Sequence, residues 1–409
     1  MNKSKLLIRD KFNEHIVKNF NTEKNRREKL FNFWLENFFI LFSENNLPEY
    51  KCINLEEWYL KKQNINTVDN SFSFKKLLKK IISYLPKSKK LFLYYNSENI
   101  SFFNDIKIIS LREKLKRTKF KLDKDSRSKF LFDIKQTIPE EIYLSLLKVM
   151  PDFFFYENLS KNFLPDEIHL ALGHIMEHPW NLFSLSDMPL KIIGYQHGGN
   201  YGEFNKNLYQ EFEESYCDEF ILWGIGNKNI KQQRFKEYKN NNLIINNFFI
   251  LDSYSSIFAQ NHIDGFSQIN QDLEYLNPFR KIKYEFKMIN HFVHPKSKPK
   301  KNKNNYFLDK MSSNELKKSL IIIPYSGSTV LYRCIYEDIP FVLYFNKEWK
   351  KYFSKNYLHF LNFLEGQNKV FWWSQEEELI KFLKEKLSSN TADKDLSNAN
   401  IKDYLEKKF

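Results

Sequence analysis

Residues 320–345 read LIIIPYSGSTVLYRCIYEDIPFVLYF, and their order decides the fold class. Residues 320–323 are four bulky apolar residues stopped by Pro324, the pattern of a short strand buried on both faces. Tyr325-Ser-Gly-Ser-Thr329 follows as a loop rich in hydroxyls, with the Ser/Thr signature of a helix start. Residues 329–336 read as that helix, and Pro340 leads into a second apolar strand over 341–345. Strand, loop, helix and strand in this order predict parallel strands with a helix on the sheet face.

The same alternation extends in both directions. Toward the amino terminus, residues 243–251 read as a buried strand, followed by the helix-start signal Asp252-Ser-Tyr-Ser-Ser. Residues 288–293 read as another strand, ending at His294-Pro295, and the Lys/Asn-rich stretch 296–305 as a solvated loop. Toward the carboxyl terminus, Phe371-Trp-Trp and residues 376–387 form a last strand–helix pair. A polar loop (388–398) and a short terminal helix come after it. Further upstream, residues 153–156, 168–172, 191–195 and 220–223 are strand-like, as are 90–95 and 106–111. Residues 139–149 form a helix opened by Pro139 and two acids. Residues 1–46 are helical, with Leu30, Phe33, Trp34, Phe38 and Leu41 at three- and four-residue steps. The expectation is an α/β protein of two α/β domains. Residues 1–228, with a helical amino-terminal region, form the first, residues 229–388 the second, and residues 389–409 a tail.

Composition narrows the function. The 409 residues are 42% hydrophobic and 17% aromatic, enough for large cores. Net charge is +14, but only nine of the 64 cations are Arg, so the bidentate reader of phosphates and bases is scarce and no nucleic-acid partner is expected. Three scattered cysteines provide neither a disulfide framework nor a Cys-based zinc site, and suit a reducing cytoplasm. The opening MNKSKLLIRDKFNEH lacks a signal peptide's apolar run, and no segment has the length and apolarity of a bilayer span. The expected location is cytoplasmic, with peripheral contact to the inner membrane through Lys as an option.

Glycine position carries more. None of the ten glycines precedes Gly173, and six lie between Gly194 and Gly226. Within that cluster runs Gln196-His-Gly-Gly-Asn-Tyr-Gly202, at the end of an apolar strand. Gln196, Gly198, Gly199, Tyr201 and Gly202 make a loop through which backbone can approach an anion or a sugar hydroxyl. His197 is the group suited to move a proton near neutral pH. Glu203 and Asp218, with Glu177 behind them, are candidate carboxylate bases or orienters for it. Ser326, Gly327, Ser328 and Thr329 could present hydroxyls and a helix N-terminus to a phosphate. Without GxxxxGK[ST] this loop is no P-loop. His169, His174 and His178 are near one another in sequence, but HIMEH lacks the HExxH order, so no metal is expected.

The runs GYQHGGNYGEF and FEESYCDEFILWGIG, followed by IIIPYSGSTVLYRCIYEDIPFVLYFNKEW, resemble bacterial surface-carbohydrate transferases of O-antigen loci. That family carries a QHGG-x-YG signature, a D-x-(Y/F)-x-x-WG segment, and an "ST…E…N-I-P" helix and strand. The resemblance covers roughly residues 139–385 by motif order. More loosely, the chain is similar to GT-B glycosyltransferases with cytidine-activated donors (sialyl- and Kdo-type enzymes) and to CDP-glycerol glycerophosphotransferases. The resemblance implies two Rossmann-like domains with an interdomain cleft and an inverting, metal-independent transfer from a CMP-linked nucleotide sugar to a glycan or lipid-linked acceptor. No cofactor is implied beyond that substrate. A glycerol- or ribitol-phosphate transferase and a non-catalytic carbohydrate-binding or assembly protein are the alternatives. By resemblance His294, Pro295, Ser326, Ser328 and Thr329 would bind the nucleotide and its phosphate. Where the family pattern S-T-x-x-x-E places a ribose-binding Glu, this chain has Arg333; Glu337, four residues on, could take over that contact, or Arg333 could meet a donor carboxylate or phosphate.

Overall fold

The structure is a computed structural model. It describes residues 2–17, 26–49, 90–93, 121–156, 167–170, 191–196, 199–222, 224–225, 244–251, 263–276, 278–286, 290–292, 304–306, 311, 313–389 and 396–409. These residues divide into two compact units. One holds the described residues through 196, plus 210–220; the other holds 199–209 and everything from 221 onward.

In the first unit, helices α1 (Asn2–Phe12), α2 (Arg26–Ser43), α3 (Lys124–Thr137) and α4 (Glu140–Val149) build an aromatic core. Phe12 and Phe31 stack with centroids 3.7 Å apart, and Phe130 and Phe154 meet them edge-on. Helix α4 starts directly after Pro139, as the sequence predicts. Residues 153–156 differ from expectation: Asp152–Phe155 is a 3₁₀ turn, not a strand. A strand would send successive Phe side chains to opposite faces. The tight turn after Pro151 instead buries all three of Phe153, Phe154 and Phe155 in the helical core.

The sheet of this unit runs β1 (Lys90–Leu93), β2 (Glu167–Leu170), β3 (Lys191–Tyr195) and β4 (Glu219–Ile221), in the order β1-β2-β3-β4. The β1–β2 and β2–β3 pairs are parallel. Helix α5 (Leu208–Tyr216) precedes β4. The strand expected over 106–111 lies outside the described residues.

In the second unit the strands are β5 (Asn247–Leu251), β6 (Asn290–Phe292), β7 (Asn304–Tyr306), β8 (Ser319–Ile323), β9 (Phe341–Phe345) and β10 (Val370–Trp372). All five pairings are parallel, in the order β10-β9-β8-β5-β6-β7. Numbered from β5, this is the doubly wound order 3-2-1-4-5-6, with its topological switch between β5 and β8.

Alternate strand residues feed opposite faces. Phe249, Ile321, Ile323 and Leu343 pack with α6 (Phe266–Tyr275), α9 (Thr329–Tyr336), α10 (Lys355–Gly366) and α12 (Ala399–Lys408). Phe248, Ile250, Leu320, Ile322 and Val342 pack against Ile282 of α7 (Arg280–Glu285) and Leu379 and Leu383 of α11 (Glu376–Ser388). A short α8 (Ser313–Lys317) leads into β8. The end of the expected loop 296–305 enters the sheet, since Asn304 and Asn305 open the edge strand β7. Edge pairing uses backbone groups, so polar side chains do not prevent it. The chain is thus α/β with parallel sheets and helices on their faces. No helix among the described residues is long and apolar enough to cross a membrane.

Candidate functional site

Strand β8 ends at Ile323, beside β5 at the topological switch, and residues 324–328 form the loop that leads into α9. Ligands of doubly wound sheets bind outside the carboxyl ends of the strands at this point. Ser328 is the N-cap of α9, and its Oγ accepts from Val330 N at 3.1 Å, satisfying one of the free amides of the first turn. Ser326 is buried, and its Oγ has no hydrogen-bond partner among the described residues. Between them Gly327 holds φ +86°, a conformation that favours glycine.

The glycine-rich loop, residues 199–209, belongs to this same unit, although it precedes the border at 228 suggested by the sequence. A Cβ on Gly199 would lie 2.1 Å from the Gly327 carbonyl oxygen and 2.7 Å from Ser328 N, so only glycine permits the approach. Further along, Ser354 Oγ donates to Gly202 O, Ser354 N donates to Glu203 O at 2.9 Å, and Asn205 N donates to Tyr352 O at 2.9 Å. The backbone approach that glycine allows here is toward another loop of the protein.

Glu203 connects the two loops. It is completely buried, and its Oε2 accepts from Gly327 N at 2.6 Å while its Oε1 accepts from the Tyr332 hydroxyl at 2.9 Å. The Asn200 backbone amide donates to the same carboxyl. Burial pushes its pKa up to about 7, against the pull of these three donors; no cation acts on it among the described residues. Tyr332 and Tyr357 are also completely buried, and burial pushes both phenols well above their ordinary value, with Glu203's negative charge adding to it.

Asp218 sits in a different setting, in the first unit. Its Oδ2 accepts from Ile192 N at 2.7 Å and from the buried Arg26 guanidinium at 2.7 Å. This carboxylate fastens β3 to α2. Arg333 and Glu337 pair with each other across one turn of α9, 3.0 Å apart. Gln196, at the end of β3, and Tyr201 are buried, and Thr329 opens α9. His197, Gly198, His294 and Pro295 lie outside the described residues, as do His174, His178 and Glu177; His169 stands on β2 opposite Phe92 and Ile193. Among the described residues Glu14, His15 and Asp133 bring three ligand atoms within 4.8 Å of one another. Lys11 Nζ, however, lies 2.9 Å from Glu14 and 3.3 Å from Asp133, and this ammonium supplies the charge a cation would.

The structure therefore brings Gly199, Glu203, Ser326, Gly327 and Ser328 together, while Asp218 belongs to the other unit. Sequence reasoning missed Tyr332, Tyr357, Ser354 and Asn200. Tyr332 meets Glu203 across 129 positions of sequence, and no local pattern encodes such a meeting.

No curated protein and no solved structure matches the chain. A family model described as LIC12162 family transferase matches residues 28–377. The match starts within α2, so it takes in residues 28–138, which the motif order does not cover, while α1 lies outside it. With most of its length matched, the chain belongs to the LIC12162 family transferases.

Proposed function

We propose that the chain is a glycosyltransferase of surface-polysaccharide synthesis with a GT-B-like organisation. Its donor is a nucleotide sugar, a CMP-activated nonulosonic or Kdo-type acid, and its acceptor a glycan or lipid-linked glycan. The observation that carries this reading is the hydroxyl-bearing loop Ser326-Gly-Ser-Thr329, set at the switch point of a 3-2-1-4-5-6 sheet and leading into a helix N-terminus. The helix dipole and loop amides favour a phosphate there, and Ser326 Oγ is a hydroxyl that no group among the described residues uses. His294, Pro295, Arg333 and Glu337 belong to the nucleotide side of this reading.

In the transfer, the acceptor hydroxyl attacks the anomeric carbon as the bond to the nucleotide phosphate breaks. The phosphate leaves with the bonding pair, the configuration inverts, and His197 takes the hydroxyl proton. No metal is required in this scheme. His197→Ala should lower turnover by about 10²–10⁴-fold.

Thermal unfolding in the presence of CMP, CDP, UDP and GDP tests the donor. A nucleotide at 100 times its Kd adds about 2.7 kcal/mol of stability. Selective stabilisation by CMP supports the sugar-acid donor; selective stabilisation by CDP points to a glycerol- or ribitol-phosphate transferase on the same loop. No response to any of the four overturns the donor reading.

A further inference from the structure

Glu203 is built unlike a base that meets substrate. None of its surface reaches solvent, and both carboxylate oxygens are taken by protein donors. It is also built unlike a structural ion pair, since no cation acts on it among the described residues. An ionised carboxylate held this way costs stability. What it holds is specific: the N–H of Gly327, the left-handed residue between the two loop serines, and the hydroxyl of Tyr332, in the first turn of α9. The facing groups are Tyr332 and Tyr357, neutral phenols at ordinary pH, and the Gly327 and Asn200 amides.

We propose, on the strength of the donor reading above, that Glu203 is a positioning residue. It holds the 326–328 loop and the start of α9 in the shape that receives the donor phosphate, and does not itself touch substrate. Its neighbour Gly199 presses the 199–203 segment onto the same loop, at a spacing no side chain would allow. The two glycine-bearing loops, far apart in sequence, act as one element through this carboxyl. The Glu that follows QHGG-x-YG is thereby a determinant of donor binding.

Two measurements on the full-length protein test this, one without ligand. Ser326–Gly327 is the only Ser-Gly pair in the chain, so ¹³C′-Ser/¹⁵N-Gly labelling isolates the Gly327 amide in a single NMR correlation. A short bond to a carboxylate shifts this proton downfield. The shift should titrate with a midpoint near 7 in the parent protein and be flat with pH in Glu203→Gln. Calorimetry with CMP, CDP, UDP and GDP at pH 8 is the second measurement. Glu203→Gln should bind the preferred nucleotide about tenfold or more weakly, without melting below the parent. Tyr332→Phe keeps the Gly327 bond and should lose less affinity than Glu203→Gln.

An unchanged affinity in Glu203→Gln overturns the positioning role alone. So does an affinity loss that only tracks a fall in melting temperature, or a Gly327 amide proton that lies as far downfield in Glu203→Gln as in the parent at pH 8. A parent protein that binds none of the four nucleotides overturns the donor reading, and the role with it.

Discussion

Two carboxylates, the largely buried Asp218 in one unit and the fully buried Glu203 in the other, are held in contrasting ways. Asp218 has a full counter-charge in the buried Arg26 guanidinium, plus one backbone amide from Ile192. Glu203 has three neutral donors and, among the described residues, no cation. A paired carboxylate is how a protein fastens a helix to a sheet and keeps the charge satisfied. One without a cation among the described residues, pushed to about 7 by burial, is a cost the fold bears under the loop where a doubly wound sheet binds its ligand. The contrast teaches that burial alone does not distinguish structure from function; the counter-charge does.

The comparison breaks most severely on the paired side. Arg26→Ala takes the hydrogen-bonded guanidinium away from the largely buried Asp218 and should destabilise the first unit by about 3–5 kcal/mol, read from urea unfolding followed by circular dichroism. The corresponding charge removal on the unpaired side should behave in the opposite way. Glu203 holds its proton more tightly folded than unfolded, so its contribution is full below about 4.5 and is lost as pH rises through about 7. Unfolding free energy from this group should therefore fall by about 3 kcal/mol across that window. Glu203→Gln should lack this fall, so the difference between the two pH profiles isolates it from every other carboxylate. Equal profiles would show that Glu203 titrates normally.

Smaller changes sharpen the contrast. Tyr332→Phe removes one of Glu203's donors and should cost about 1.5–3 kcal/mol above pH 7. It should also move the midpoint of the Gly327 amide titration upward from about 7, which NMR reads directly. Within the loop the two serines should separate. Ser328→Ala loses the cap on α9 and about 1 kcal/mol of stability, measured by thermal unfolding. Ser326→Ala, whose Oγ bonds to nothing among the described residues, should leave melting nearly unchanged and weaken nucleotide binding. Loss of affinity in Ser328→Ala but not in Ser326→Ala would reverse the assignment of the phosphate donor.

Much of the fold was legible because it is local. Residues 320–345 contain a strand, a cap, a helix and a strand, each written in consecutive residues, and β8, α9 and β9 form where the pattern puts them. Pro139 marked the start of α4 for the same reason. The run 153–156 misled because four consecutive aromatics suit a strand by propensity, while burying the three Phe side chains together requires a turn. In the site, glycine scarcity pointed to residues 194–202, and the hydroxyl cluster to 326–329. Each loop was visible separately, but their contact was not.

By itself, then, the sequence determined the alternation of strands and helices, the positions of the two loops, and the residue types they carry, since periodicity, caps and glycines act within a few residues of one another. Only the tertiary structure decided strand order and the partners of the two carboxylates. Strand order depends on which hydrophobic faces pack together, and the partners depend on contacts across 192 positions for Asp218 and 124 and 129 for Glu203. A carboxylate's desolvation and its donors exist only after the chain has closed around it. That is why Asp218 and Glu203, alike as sequence candidates, became a fastener and a loop holder.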